Sequence, residues 1–224
     1  MKKNELTCAD EKTSIFSLLK LGEYEEVVRL IFNNEINVNM IDGVGNDIVT
    51  RLLKAKQYDL VIEVMKKRNW DVNHQNEEGN TFGHILAQDD SAMAVKVMEQ
   101  LTKKKNYLPN IKNNRGETAM DIALSNHYLC TAFKILEDKR FDNIDIFSFK
   151  NLLRVTIKSK FYGKYSKIMN LDIIVSNLEK KNLDIKVREL VENIRRNMET
   201  IKSEIMNNSL FLLETIVNYQ AIVE

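Results

Sequence analysis

Residues 74–87, HQNEEGNTFGHILA, hold two of the chain's three histidines among acidic and amide side chains, the residue types that bind metal ions or exchange protons. A metal site on a helix needs two imidazoles about one turn apart so that both face the same way, and His74, His84 and His127 offer no such pair. Cys8 and Cys130 stand far apart with no CxxC, so neither a zinc framework nor a disulfide framework is suggested. The GVG at residues 43–45 has no third glycine and no following Lys-Ser or Lys-Thr, which a phosphate-cradling loop requires. Asp89 and Asp90 read as a solvated turn rather than as an acid–base carboxylate pair, and no HExxH, GxSxG, Walker or kinase signature occurs. The expectation is a chain with no catalytic residues, no metal and no cofactor, and so not an enzyme.

The elements that carry these residues are helical. The chain has 224 residues, long enough for one large domain or two small ones, and its single proline and seven glycines disfavour a many-turned β-protein. Hydrophobic residues make up 44% and charged residues 29%, with a formal net charge of +1, so any electrostatic function has to come from local clustering. The leader MKKNELTCADEK has no apolar stretch after its lysine pair, and no run of about 18 apolar residues follows anywhere. Together with the cysteine usage, this points to an intracellular protein without a transmembrane segment, in a cytoplasm or, if delivered there, a host cytoplasm.

Sliding the chain on itself shows a repeat. A shift of 34 places INVN (residues 36–39) on WDVN (70–73), GND (45–47) on GNT (79–81), and Leu18-Leu19 on Leu52-Leu53. A further loop copy, GET at 116–118, follows at a spacing of 37. Within each unit, apolar residues recur at three and four before a glycine or asparagine stops them, which spells short helix, turn, longer helix, polar loop. In the first unit Ile15, Leu18 and Leu19 form one stripe and Tyr24, Val27, Val28, Leu30 and Ile31 the next. Neither stripe is buried by its own unit, so the units must stack.

This pattern resembles the ankyrin repeat family, whose units run D-x-x-G-x-T-P-L-H-x-A-A, a turn, V-x-x-L-L and A-D-V-N. NEEGNTFGHILA matches at Gly79, Thr81, His84 and Ala87, and NNRGETAMDIAL at Gly116, Thr118 and Ala123. DGVGNDIVTRLL keeps Asp42 and Gly45 but has Asp47 and Thr50 in place of the threonine and histidine. The resemblance covers about four degenerate repeats over residues 13–143, after a flexible leader at 1–12, and implies an all-α fold: an ankyrin-repeat helical solenoid followed by a C-terminal helical region, 144–224. It also implies that His84 is a structural clamp. Two departures are visible. Phe82-Gly83 replaces Pro-Leu, and a helical glycine costs about 1 kcal/mol against alanine, so the third repeat is expected to be locally soft. LTKKKNYLPN adds a basic insertion, residues 103–105 with Tyr107, after that repeat's second helix.

By the same resemblance the function is that of a non-catalytic protein–protein interaction module or adaptor, binding an unidentified protein partner through loop tips and a concave helix face. The tip candidates are Val44 and Asn46, then Glu77, Glu78 and Asn80, then Asn114, Arg115 and Glu117. The helix candidates are Lys20, Lys54, Gln88, Asp89, Ser125 and Asn126. Their mixed charges favour a protein over a nucleic acid.

Beyond residue 144 the 34-residue pattern stops but helical periodicity continues. Leu183, Val187, Leu190, Ile194, Met198, Ile201 and Ile205 trace one apolar seam, read either as a cap on the solenoid or as a coiled-coil surface for self-association through residues 183–205. A break with a new helix is expected at Ser209. Residues 148–171 carry Lys150, Arg154, Lys158, Lys160, Lys164 and Lys167 with interleaved Phe161, Tyr162 and Tyr165 and no acidic residue. That composition is an alternative site for nucleic acid or an anionic surface, against the plainer reading of a helix with solvated lysines.

Overall fold

A computed structural model describes residues 8–141, 144–158, 164–181, 183–207 and 215, and the described residues form helices with no strand. The units expected from the periodicity are helical hairpins: α1 (Cys8–Leu21) with α2 (Tyr24–Phe32), α3 (Ile48–Lys54) with α4 (Tyr58–Val64), α5 (Phe82–Leu86) with α6 (Ala92–Thr102), and α7 (Ala119–Ser125) with α8 (Leu129–Glu137). Then come α9 (Ile146–Lys158), α10 (Lys164–Leu178), α11 (Ile185–Arg196) and α12 (Met198–Met206). Each first helix packs on the one before it, α1 to α3 to α5 to α7 to α9, and each second helix likewise, α2 to α4 to α6 to α8 to α10. Two layers result, a front of first helices and a back of second helices, with Leu52, Leu86, Ile48, Met98, Leu101, Met120 and Ile135 fully buried between them. The stack therefore continues one hairpin past the last loop repeat, because α9 and α10 keep the packing after the loop signature ends.

The tips are built by one device used three times. Oδ1 of Asp42, Asn76 and Asn113 accepts two backbone N–H groups each, two and four residues on, and Gly45, Gly79 and Gly116 then turn the chain with φ between 73° and 77°. Asn114 Nδ2 donates to the Glu77 carbonyl and Asn114 N–H to the Glu78 carbonyl, so the third and fourth repeats' tips are tied together. At Gly79 a Cβ would lie 2.4 Å from the Asn114 side chain, which makes glycine obligatory there twice over.

A second periodic device runs along the back. Lys67 lies over the Phe32 ring, Lys104 over Trp70, Arg140 over Tyr107 and Lys181 over Phe141, at 4.9, 6.0, 5.7 and 5.9 Å. In each pair the cation belongs to one hairpin and the ring to the hairpin before it, an inter-repeat contact worth about 0.5–1 kcal/mol. Arg140 does the most: it donates to the carbonyls of Thr102, Lys104 and Lys105 at the end of α6 and forms a bidentate pair with Asp138. Because its side chain is about one-third exposed (33%), Arg140→Ala is expected to cost only about 1–2 kcal/mol, and Arg140→Lys about half of that, in urea unfolding.

The glycine behind the expected softness of the third repeat has a packing role. Gly83 is buried, and a Cβ placed on it would meet Tyr107 Oη at 2.9 Å. Tyr107, brought in by the basic insertion, is itself 1% exposed. The two departures from the repeat pattern are thus one feature: the missing side chain makes room for the inserted ring.

Of the two readings of the seam at residues 183–205, the structure has the cap, and only the self-association surface is corrected. It is carried by two helices, α11 and α12, which meet at Asn197, and its residues are buried within the chain against α9 and α10, so the surface expected for self-association is already covered. The break expected at Ser209 lies outside the described residues. No described helix is long and apolar enough to cross a membrane.

Candidate functional site

The three histidines resolve first. His84, 1% exposed, accepts the Thr81 backbone N–H on Nδ1 at 3.1 Å, with Thr81 Oγ1 2.7 Å from the same nitrogen. Nδ1 is therefore unprotonated, and Nε2–H donates to the Glu117 carbonyl of the next repeat at 3.0 Å. Burial pushes the imidazole below its ordinary pKa, in keeping with a neutral ring. In the fourth repeat Asp121 occupies the corresponding place, accepting from Thr118 N–H and Oγ1 and reaching Ser148 at the start of α9. In the second, Asp47 caps α3 by accepting the Thr50 N–H and takes the Trp70 indole N–H on its other oxygen. His74 Nε2 lies 2.7 Å from the Gly45 carbonyl, linking neighbouring tips, and His127 turns the chain between α7 and α8 at φ 60°. Among the described residues no cluster of His, Cys, Asp and Glu could hold a metal ion.

Of the remaining candidates some line an open groove and some serve the scaffold, and Asn80 does both. Glu78, Asn80, Gln88, Arg115 and Asn126 line a single groove of about 500 Å³ between the third and fourth repeats, with Ile122 as its apolar part. Five sequence candidates, from two tips and from the turns that follow α5 and α7, thus meet in one place. Gln88 is exposed and its side-chain amide has no partner among the described residues. Arg115 is exposed (64%) and uses its Nε–H on Glu117 Oε2 at 2.7 Å, leaving its terminal nitrogens without a described partner. Glu117 is held by Asn113 and then Arg115, which together keep its carboxyl below the ordinary range. The groove's exposed groups are two amides, of which Asn126 Nδ2 already donates to the Ile122 carbonyl, a guanidinium and a carboxylate, a set that binds polar and main-chain groups by hydrogen bonds.

Other candidates are placed elsewhere. Val44 and Glu77 are exposed at their tips, and Ser125 is exposed at the end of α7 with its hydroxyl on the Asp121 carbonyl. Asn114 is exposed but its amide ties two tips. Asn46 and Asn80 are corrected: at 1% and 3% exposure they belong to the scaffold. Asn46 Oδ1 accepts from Asn76 Nδ2 and Lys54 Nζ, and Asn80 bridges Asn113 and Glu78, forming an amide ladder from one tip to the next. Asp89 is corrected as well, since in the turn between α5 and α6 its carboxylate is already engaged by the scaffold. It accepts from the Tyr58 hydroxyl and the Ser91 N–H, while Asp90 accepts from Thr131 N–H and Oγ1. Burial alone would raise the Asp89 carboxyl, but the bonds from Tyr58 and Ser91 outweigh it and leave the pKa lowered. The pair expected as a solvated turn therefore joins three repeats.

Of the basic segment, Lys150 is half-buried and Arg154 exposed on α9, and Lys167 is half-buried on α10. Lys160 and the side chains of Lys158 and Lys164 lie outside the described residues, as do Phe161, Tyr162 and the Tyr165 side chain. Leu152, Leu153 and Val155 are buried, as the plainer reading of this helix expected.

A second groove was not foreseen. Phe16, Ser17, Lys20, Asp42, Gly43, Val44 and Arg51 line about 450 Å³ between the first and second repeats. Its equivalence to the first groove was available: the shifts of 34 and 37 put Arg51 with Ile85 and Ile122, one turn before Lys54, Gln88 and Ser125.

No family model matches the sequence, and no curated protein matches it. Among solved structures, the crystal structure of an ankyrin repeat protein is similar, with a TM-score of 0.55 at 15% sequence identity, over 87% of this chain and 96% of that one. At that identity the likeness concerns the fold, an all-α ankyrin-type solenoid.

Proposed function

We propose that this protein is a non-catalytic protein-interaction module that holds a partner on the face where the tips meet the front helices. The observation that carries this reading is the convergence of Glu78, Gln88, Arg115 and Asn126 on one groove, with the Gln88 amide and the Arg115 terminal nitrogens unengaged by the described residues. The same periodicity that stacks the hairpins brings these groups into register, so the packed scaffold sets their placement before a partner arrives. Preorganisation of this kind lowers the ordering cost of association. An extended segment laid across the groove would offer main-chain N–H and C=O groups to the amide, carboxylate and guanidinium.

Affinity capture with the full chain tests this. The triple variant Glu78→Lys, Gln88→Ala, Arg115→Glu is expected to lose the specifically captured partner by tenfold or more, about 1.4 kcal/mol, while a Lys96→Glu change on the back helix α6 retains it. Equal capture by both variants would refute the assignment of the face.

A further inference from the structure

The groove between the first two repeats differs in chemistry from its neighbour. Its tip carries Val44, 52% exposed, where the corresponding tip positions of the next two repeats carry Glu78 and Arg115. Phe16 of α1, 8% exposed, also lines it, so the groove pairs a largely buried aromatic ring with an exposed aliphatic side chain. Gly43, between Asp42 and Val44, has open space around it, which leaves the groove mouth unobstructed. Around these walls stand Lys20, exposed in the last turn of α1, and Arg51 on α3.

The electrostatic balance is positive. Asp42 is the one carboxylate lining the groove, and its Oδ1 is already occupied by the Val44 and Asn46 N–H groups of its own turn. Its Oδ2 faces Arg51 Nε at 3.6 Å, a loose contact that leaves the rest of the guanidinium fork available. Lys54, one helical turn beyond Arg51, bonds Asn46 Oδ1 and adds a third cation on the same face. Lys20 and Arg51 in the lining, Lys54 beyond them, and one acid held by its own turn and Arg51 leave a positive apolar slot that complements a partner with carboxylates flanking an aliphatic side chain.

We infer that the groove of repeats one and two binds an acidic, aliphatic peptide segment of the partner. An aliphatic side chain sits between Phe16 and Val44, and carboxylates on either side of it meet Lys20 and Arg51. This rests on the proposal that the tip-and-front-helix face is the binding face, and it adds the chemistry of what is bound. Because Lys20 is exposed and Arg51 about one-third exposed, the charge pairs mainly steer and select, and binding weakens with salt. The apolar slot supplies the anchor.

The test is selection of random linear peptides displayed on phage against the full-length chain, followed by fluorescence anisotropy with the best selected peptide made synthetically. Expected are enriched sequences with Asp or Glu adjacent to Leu, Ile or Val, and an affinity that falls about tenfold or more with Lys20→Glu, Arg51→Glu. The exposed Val44→Ser should weaken binding several-fold without altering thermal unfolding, which separates loss of the slot from loss of the fold. Enriched sequences that are basic or uncharged, or no enrichment at all, would overturn the inference. Peptides that lose affinity with Arg115→Glu but not with Lys20→Glu, Arg51→Glu would overturn it while leaving the face assignment standing. Peptides indifferent to both variants would overturn both.

Discussion

His84→Ala should lower stability by about 3–4 kcal/mol, read as a shift of the urea midpoint at unchanged slope. The side chain is 1% exposed, and its loss would leave the Thr81 backbone N–H and the Glu117 carbonyl without their partner, besides a cavity where the ring was. Each stranded polar group costs about 1–3 kcal/mol, and the two sit in successive repeats, so the damage reaches the interface as well as the helix start. The same clamp predicts a pH effect with a definite sign. Burial holds the folded imidazole below its ordinary pKa, so on acidification the unfolded chain takes the proton first. The stability held by the neutral ring is complete above about pH 6.5 and is lost progressively below it, until the folded ring is itself protonated. Protonation there would put a hydrogen on Nδ1, against the Thr81 N–H. Urea midpoints at neutral and mildly acid pH should therefore fall more for the native chain than for His84→Gln, and an equal fall in both would assign the pH dependence to other groups.

Gly83→Ala should destabilise by about 2–3 kcal/mol, although alanine is the better helix former by about 1 kcal/mol. The added methyl meets Tyr107 Oη at 2.9 Å, and the ring is buried and cannot swing out without exposing itself. Removing the hydroxyl relieves the closest contact, leaving ring carbons at 3.4 and 3.5 Å, the first near and the second within ordinary van der Waals range. In a double-mutant cycle, Tyr107→Phe should recover at least half of the loss in the Gly83→Ala background. Gain of stability in Gly83→Ala would show that the glycine serves no packing purpose.

These two residues show what the sequence could and could not disclose. The clamp was legible because its partners are local: Thr81 and His84 lie within one helical turn, and the spacing repeats in Thr118 and Asp121. Stacking was legible because neither apolar stripe of a unit is satisfied within that unit. The pairing of Gly83 with Tyr107 was not, since it joins two departures from the pattern across a repeat, each of which taken alone looks like a flaw. Asn46 and Asn80 were misplaced for a related reason. A tip asparagine has the same identity whether it faces solvent or bridges to the next tip, and only the stacked neighbour decides. The seam at 183–205 carried the period of a coiled coil because any helix buried on one face carries it, and here α9 and α10 supply that face. Asp89 and Asp90, adjacent in sequence, turn to Tyr58 on one side and Thr131 on the other, an arrangement that requires three repeats to be in place.

The central claim is that the tip-and-front-helix face, and not the back of the stack, touches the partner. Its most direct test is site-specific photocrosslinking in cells that make the protein, with a benzophenone amino acid placed at Gln88 in the groove or at Lys96 on α6. The account predicts a discrete crosslinked adduct from position 88 that is absent from position 96 and disappears when Arg115→Glu is added. An adduct from position 96 with none from position 88 would contradict it.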